Sequence, residues 1–154
     1  MPFDVPSMLG PFSVDEQGRL APRDPNALPA FLFRWRGRVI RARMRGAEPQ
    51  LGRLLLRSVL GRVPSSAGDD PATRPASFAV LHWLPRELPP GWRLSLLPDH
   101  RILLDAGADI ALPITASGLV VELAGFLLTL APYLDLLEGV GAFDSASAAG
   151  MANT

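Results

Sequence analysis

Between residues 31 and 45 the chain alternates. Phe31, Phe33 and Trp35 are separated by Leu32 and Arg34, and beyond Arg36-Gly37 the run from Arg38 to Met44 alternates again. A period of two is that of a strand with one face buried. A two-residue turn at Arg36-Gly37, with glycine supplying the positive φ that such turns need, pairs Trp35 with Arg38, Arg34 with Val39, Phe33 with Ile40, Leu32 with Arg41 and Phe31 with Ala42. In that register Phe31, Phe33, Ile40, Ala42 and Met44 share one face, and Arg34, Arg41, Arg43 and Arg45 share the other. A slip of one residue would mix the two sets. The stretch is therefore expected to be a hairpin with one face in water, and its inner face requires an apolar cover.

The cover is expected further along. Residues 115–138 read as a long helix, with Thr115 or Ser117 as its N-cap. Leu119, Leu123, Phe126, Leu127, Leu130, Leu134 and Leu137 form one apolar stripe, which Val120, Val121, Ala124, Leu128 and Ala131 widen beyond what a surface helix uses. Such a helix should be covered on more than one side, by a sheet plus a neighbouring element or by a second subunit. Pro132 should kink it or end its regular part near Ala131. The wider run 110–134 is long enough for a membrane span of about 20 residues. Glu122 near its middle, Pro113 and Pro132 at its ends and acidic flanks at Asp105, Asp109, Asp135 and Glu138 favour a buried soluble helix instead.

Between these two features, residues 49–61 are expected to form a helix, with Leu51, Leu54, Leu55 and Val59 on one side and Arg53 and Arg57 on the other. Residues 63–75 read as a loop. "SFAVLHWL", "WRLSLL" and "HRILLDA" read as three strands, the last two joined at Pro98-Asp99, with "DAGAD" turning the chain. The fold class is α+β: an antiparallel sheet packed against two helices in the order ββ-α-βββ-α, a two-layer sandwich. Residues 1–29 are an extended, proline-rich segment with a possible turn at Glu16-Gln17-Gly18, residues 30–139 a single domain, and 140–154 a flexible tail.

At 154 residues, 48% hydrophobic and 19% charged, the chain can bury a core and is not a disordered polyanion or polycation. It has no cysteine, which removes disulfide and thiolate chemistry, and no secretory signal is apparent, so a cytoplasmic protein is expected. All fifteen basic residues are arginine, as codon bias in a GC-rich bacterial genome would give. The net charge of zero hides a split: residues 31–62 hold nine arginines against Glu48, and residues 105–154 hold six acids and no arginine. Oppositely charged regions can meet within one molecule or between two copies.

Little in the chain suggests catalysis. His82 falls in phase with Phe78, Val80 and Leu84 and reads as a structural histidine. Asp99, His100 and Arg101 form the most site-like cluster, because a carboxylate beside an imidazole sets its tautomer and raises its pKa. Ligand spacings for a metal, phosphate-binding glycine loops and hydrolase motifs are all missing, so no cofactor or metal is expected. The candidate binding residues are Arg34, Arg41, Arg43, Arg45 and Trp35 on the hairpin, for a nucleic acid or another anionic surface, and Asp99, His100 and Arg101 for a small ligand or enzyme site.

Taken in order, "FLFRWRGRVIRARM", the helix expected around "LGRLLLRSVL", and "WRLSLLPDHRILLDAGADIALP" running into "LVVELAGFLLTLAPYLDLLE" resemble the type III secretion chaperone-like fold and the related YbjN-like proteins. The resemblance covers roughly residues 30–138 and is one of topology. It implies an α+β sandwich, often homodimeric, that binds another protein without catalysis.

Overall fold

The computed structural model describes residues 7–48, 50–65 and 71–142. Three short strands come first, β1 (Ser7–Leu9), β2 (Phe12–Val14) and β3 (Leu20–Pro22), forming a small antiparallel sheet in that order. The prolines do delimit this stretch, yet residues 7–22 join the core rather than trailing from it. Phe12 is 2% exposed and meets the Phe31 ring edge-on at 6.1 Å, and the Leu20 N–H donates to the Ile114 carbonyl at 2.8 Å. The turn expected near Gly18 is present, with Gly18 at φ +77° and the Asp15 carboxylate accepting from the backbone N–H groups of Gln17 and Arg19.

The hairpin that follows, β4 (Ala30–Trp35) and β5 (Arg38–Glu48), has the register that the alternation predicts, from Trp35 opposite Arg38 to Phe31 opposite Ala42. Arg36 and Gly37 both take positive φ, 50° and 76°, so the connection has the backbone of a two-residue turn whose twist matches the strands. Ile40, Ala42 and Met44 are buried, while Arg34, Arg41, Arg43 and Arg45 are exposed.

Two assignments from the sequence are exchanged in the structure. The helix expected over 49–61 is a strand, β6 (Leu51–Arg62), and the strand expected at "SFAVLHWL" lies in a helix, α1 (Thr73–Glu87). In β6 the buried positions from Gly52 to Leu60 are Gly52, Leu54, Leu56, Ser58 and Leu60, a period of two that ends at buried Gly61, where the register with a neighbouring strand shifts, and the strand pairs on both edges. In α1 the buried positions are Ser77, Val80 and Leu84, a helical spacing, and Pro75 falls in the first turn, where its missing N–H costs nothing. His82 is consequently exposed on the helix and does not share the buried face.

Two further strands complete the larger sheet, β7 (Arg93–Leu96) and β8 (Arg101–Ala111), joined by the expected turn at Pro98-Asp99. "DAGAD" does not turn the chain: it runs straight through β8, paired residue by residue with β6. The last helix, α2 (Ala116–Gly139), is capped by Thr115, whose hydroxyl accepts from the Gly118 N–H at 3.0 Å. Pro132 lies inside α2 and does not end it.

The five-stranded sheet is antiparallel throughout, in the order β4-β5-β6-β8-β7. Its inner face supplies Ile40, Ala42, Met44, Leu54, Leu56, Leu60, Ile102, Leu104 and Ala106 to one core with Leu119, Phe126, Leu130, Leu134 and Leu137 of α2 and with Val80 and Leu84 of α1. The Ser77 hydroxyl ties α1 to the end of α2 by donating to the Val140 carbonyl at 2.8 Å. The fold is thus the expected sheet-plus-helices α+β class, with a small second sheet added. The tail beyond residue 142 lies outside the described residues.

Candidate functional site

Strand parity sorts the arginines. Inner-facing positions of β5 are even and outer-facing positions odd, so Arg38 turns toward α2 while Arg41, Arg43 and Arg45 stand on the open face. Cross-strand pairing then extends that face into rows. One row runs Leu32, Arg41, Arg57, Asp105, Arg93 across all five strands; a second runs Arg43, Leu55, Gly107; a third runs Arg45, Arg53, Asp109. At a strand spacing of about 4.8 Å, the charged part of the first row spans roughly 15 Å.

Two carboxylates on β8 answer two of these cations. Asp105 accepts from Arg57 Nε at 2.6 Å, and Asp109 accepts from Arg53 Nη1 at 2.9 Å. Arg41, Arg43 and Arg93 pair with no carboxylate among the described residues. The five arginines and Asp105, but not Asp109, line a groove of about 480 Å³ with Leu55, Gly91 and Gly107. At Gly107 a Cβ would stand 2.7 Å from Arg53 Nη2, so the guanidinium lies directly on the β8 backbone and would have to shift to admit a side chain. Gly91, at φ +84°, lets the chain pass close beside it.

Trp35 does not belong to this surface. It has the inner parity, packs against the core, and carries the Arg36 guanidinium 5.5 Å from its ring centroid. Of the hairpin residues expected to bind, Arg41 and Arg43 line the groove and Arg34 and Arg45 lie on the same exposed face outside it. Arg53, Arg57, Asp105 and Gly107 are missed because 49–61 reads as a helix and 105–109 as a turn, and Arg93 because the sequence of its strand does not say which strand lies beside it. The alternation of Gly52, Leu54, Leu56, Ser58 and Leu60 with Arg53 and Arg57 carries the signal for the first two.

The turn of the hairpin forms a separate cluster. Arg36 Nη2 donates to Asp135 at 2.8 Å and to Glu138 at 2.7 Å, and Arg38 Nη1 donates to the other Glu138 oxygen at 2.6 Å. Arg38 is 8% exposed and is also satisfied by the Leu60 carbonyl at 2.8 Å and the Arg36 carbonyl at 2.9 Å. Desolvation raises the Glu138 carboxyl, but the hydrogen bonds and charges of Arg38 and Arg36 outweigh it and hold the group below its ordinary value. Much of the charge split in the sequence is neutralised in this way, inside one molecule.

Asp99, His100 and Arg101 come together as a turn. Asp99 Oδ1 accepts from the Arg101 N–H and Asp99 Oδ2 pairs with Arg101 Nε, while the His100 N–H donates to the Leu97 carbonyl. His100 sits at φ 69°. These bonds form the β7–β8 connection, Asp99 and His100 border a groove of about 420 Å³ with Arg62 and Arg74, and among the described residues no carboxylate pairs with the imidazole. The residues described hold no group of three or more metal-ligating side chains. Comparison with protein families, with curated proteins and with solved structures finds no match.

The other surface of note is the outer face of α2. Val120 is 63% exposed, Val121 69% and Leu128 75%, with Ala124 and Gly125 between them. A Cβ on Gly125 would meet nothing within 4 Å.

Proposed function

We propose that the protein is a non-enzymatic, chaperone-like binding protein that self-associates, with the outer face of α2 as its interface. The observation that carries this reading is the exposure of Val120, Val121 and Leu128 on one side of a helix whose other side is already docked on the sheet. Apolar side chains spaced over two turns gain free energy when they leave water. A second copy supplies the same stripe in return, which is what a two-fold interface requires. The sheet-plus-helices α+β class is the one the resemblance noted above implies, although the larger sheet and its helices run three strands, helix, two strands, long helix in place of ββ-α-βββ-α.

A membrane is the competing cover. Among the described residues α2 is the one helix long and apolar enough to cross a bilayer, with a mean hydropathy of 1.7. Two features favour a second copy: Leu119, Phe126, Leu130, Leu134 and Leu137 are committed to the core, and α2 carries Glu122, Asp135 and Glu138 without a basic residue to meet anionic headgroups.

Sedimentation equilibrium tests the reading. The wild type should dimerise at micromolar concentration, and Leu128→Glu should be monomeric. A two-fold contact loses Leu128 twice, at about 1.5–3 kcal/mol each, which loosens the dimer by roughly two to four orders of magnitude. A wild type that stays monomeric at high micromolar concentration contradicts it.

A further inference from the structure

Like charges directly opposite one another on neighbouring strands repel. The open face of the sheet holds two such pairs, Arg41 beside Arg57 and Arg45 beside Arg53. Asp105 and Asp109 engage one member of each pair, and the first row continues past Asp105 to a further arginine, Arg93. Among the described residues, Arg41 and Arg43 of β5 and Arg93 of β7 are therefore left as three cations around one groove, on two strands, beside the backbone of Gly91 and Gly107. A surface that concentrates guanidinium groups in this way is arranged for an anion, and no described carboxylate supplies one to Arg41, Arg43 or Arg93.

We propose that this groove binds a compact oligophosphate, such as inorganic pyrophosphate or tripolyphosphate or the phosphate chain of a nucleotide. Two linked phosphates carry about three negative charges, which match the three guanidinium groups without a carboxylate partner. Phosphate oxygens point in several directions and accept from forked donors approaching from different strands, whereas one planar carboxylate is filled by a single bidentate arginine. The volume of about 480 Å³ is that of a small-molecule site. A nucleic-acid strand suits the surface less well. No aromatic side chain stands on this face among the described residues of the five strands, so bases have nothing to stack on, and Asp105 and Asp109 would repel an extended backbone.

Isothermal titration at low ionic strength tests the proposal with tripolyphosphate, pyrophosphate, citrate and a single-stranded oligonucleotide without terminal phosphates. Tripolyphosphate should bind with micromolar affinity and raise the unfolding temperature, ahead of citrate. Arg41→Gln, Arg43→Gln and Arg93→Gln should each weaken it by about tenfold, with the circular dichroism spectrum unchanged. Asp105→Asn should tighten it several-fold, an effect in the opposite direction that damage to the fold would not produce. Absence of heat and of thermal shift at millimolar tripolyphosphate overturns the proposal, as does binding that the arginine substitutions leave intact. Citrate binding as tightly as tripolyphosphate would refute the preference for phosphate. An oligonucleotide that binds more tightly than tripolyphosphate would identify the face as an extended nucleic-acid surface instead.

Discussion

Arg38 and Arg41 stand three residues apart on the same strand, and the molecule holds them in opposite ways. Arg38 faces inward; its guanidinium donates to the Leu60 and Arg36 carbonyls and to Glu138, a residue of α2 one hundred positions away. Arg41 faces outward, beside another arginine and in contact with no described carboxylate. The same residue type thus locks the hairpin turn to the C-terminal helix at one end of β5 and lines an open groove further along it. Parity and a distant partner separate the two roles, and local charge density does not.

The contrast can be broken most sharply at Glu138. Glu138→Gln keeps the shape but leaves the Arg38 guanidinium under-compensated in a largely dry site, so a loss of about 2–3 kcal/mol is expected from urea unfolding, somewhat below the range for fully buried pairs because the carboxylate retains some exposure. A loss under 0.5 kcal/mol would mean that the inner arginines are no more structural than the outer ones.

Titration gives the next effect in size. Because Glu138 is held below its ordinary value of 4.5 in the folded protein, its contribution is fully present above that value. It is lost as pH falls below about 4.5 toward the folded value. The unfolding free energy of the wild type should therefore fall more steeply below this pH than that of Glu138→Gln, and parallel curves would remove the linkage.

The smallest effect belongs to the outer face. Arg57→Gln removes an exposed ion pair with Asp105 and at the same time relieves Arg41 of a like neighbour, so the stability should change by less than about 0.5 kcal/mol. A large destabilisation would show that the open face is part of the scaffold.

The sequence discloses these regions unequally, for a physical reason. The hairpin is specified locally: a turn glycine fixes where the chain reverses, and a period of two fixes which side chain faces the core, so the register from Trp35–Arg38 to Phe31–Ala42 can be read in advance. Residues 51–62 carry leucines at both helical and strand spacings, and residues 76–84 carry apolar side chains that fit either period. What decides them is not local. β6 becomes a strand where it can pair with β5 on one edge and β8 on the other, and α1 is a helix where Ser77, Val80 and Leu84 meet the core. The groove depends on that nonlocal outcome, since Arg53, Arg57, Asp105 and Gly107 come together only when β6 and β8 are neighbours. Half of the outer charged face was therefore legible, and the half contributed by β6, β7 and β8 was not. The Asp99-His100-Arg101 cluster is the converse: residues adjacent in sequence stay together, because the hydrogen bonds of one turn hold them.

The central claim is that the inner arginine of β5, Arg38, holds the fold and the outer ones do not. It is tested most directly by urea unfolding of Arg38→Gln and Arg41→Gln side by side at neutral pH. Arg38→Gln should lose at least about 2 kcal/mol, since it takes the donor from Glu138 Oε1 and from the Leu60 and Arg36 carbonyls. Arg41→Gln should be neutral or slightly stabilising. Equal losses in the two variants, or a larger loss in Arg41→Gln, would contradict the account.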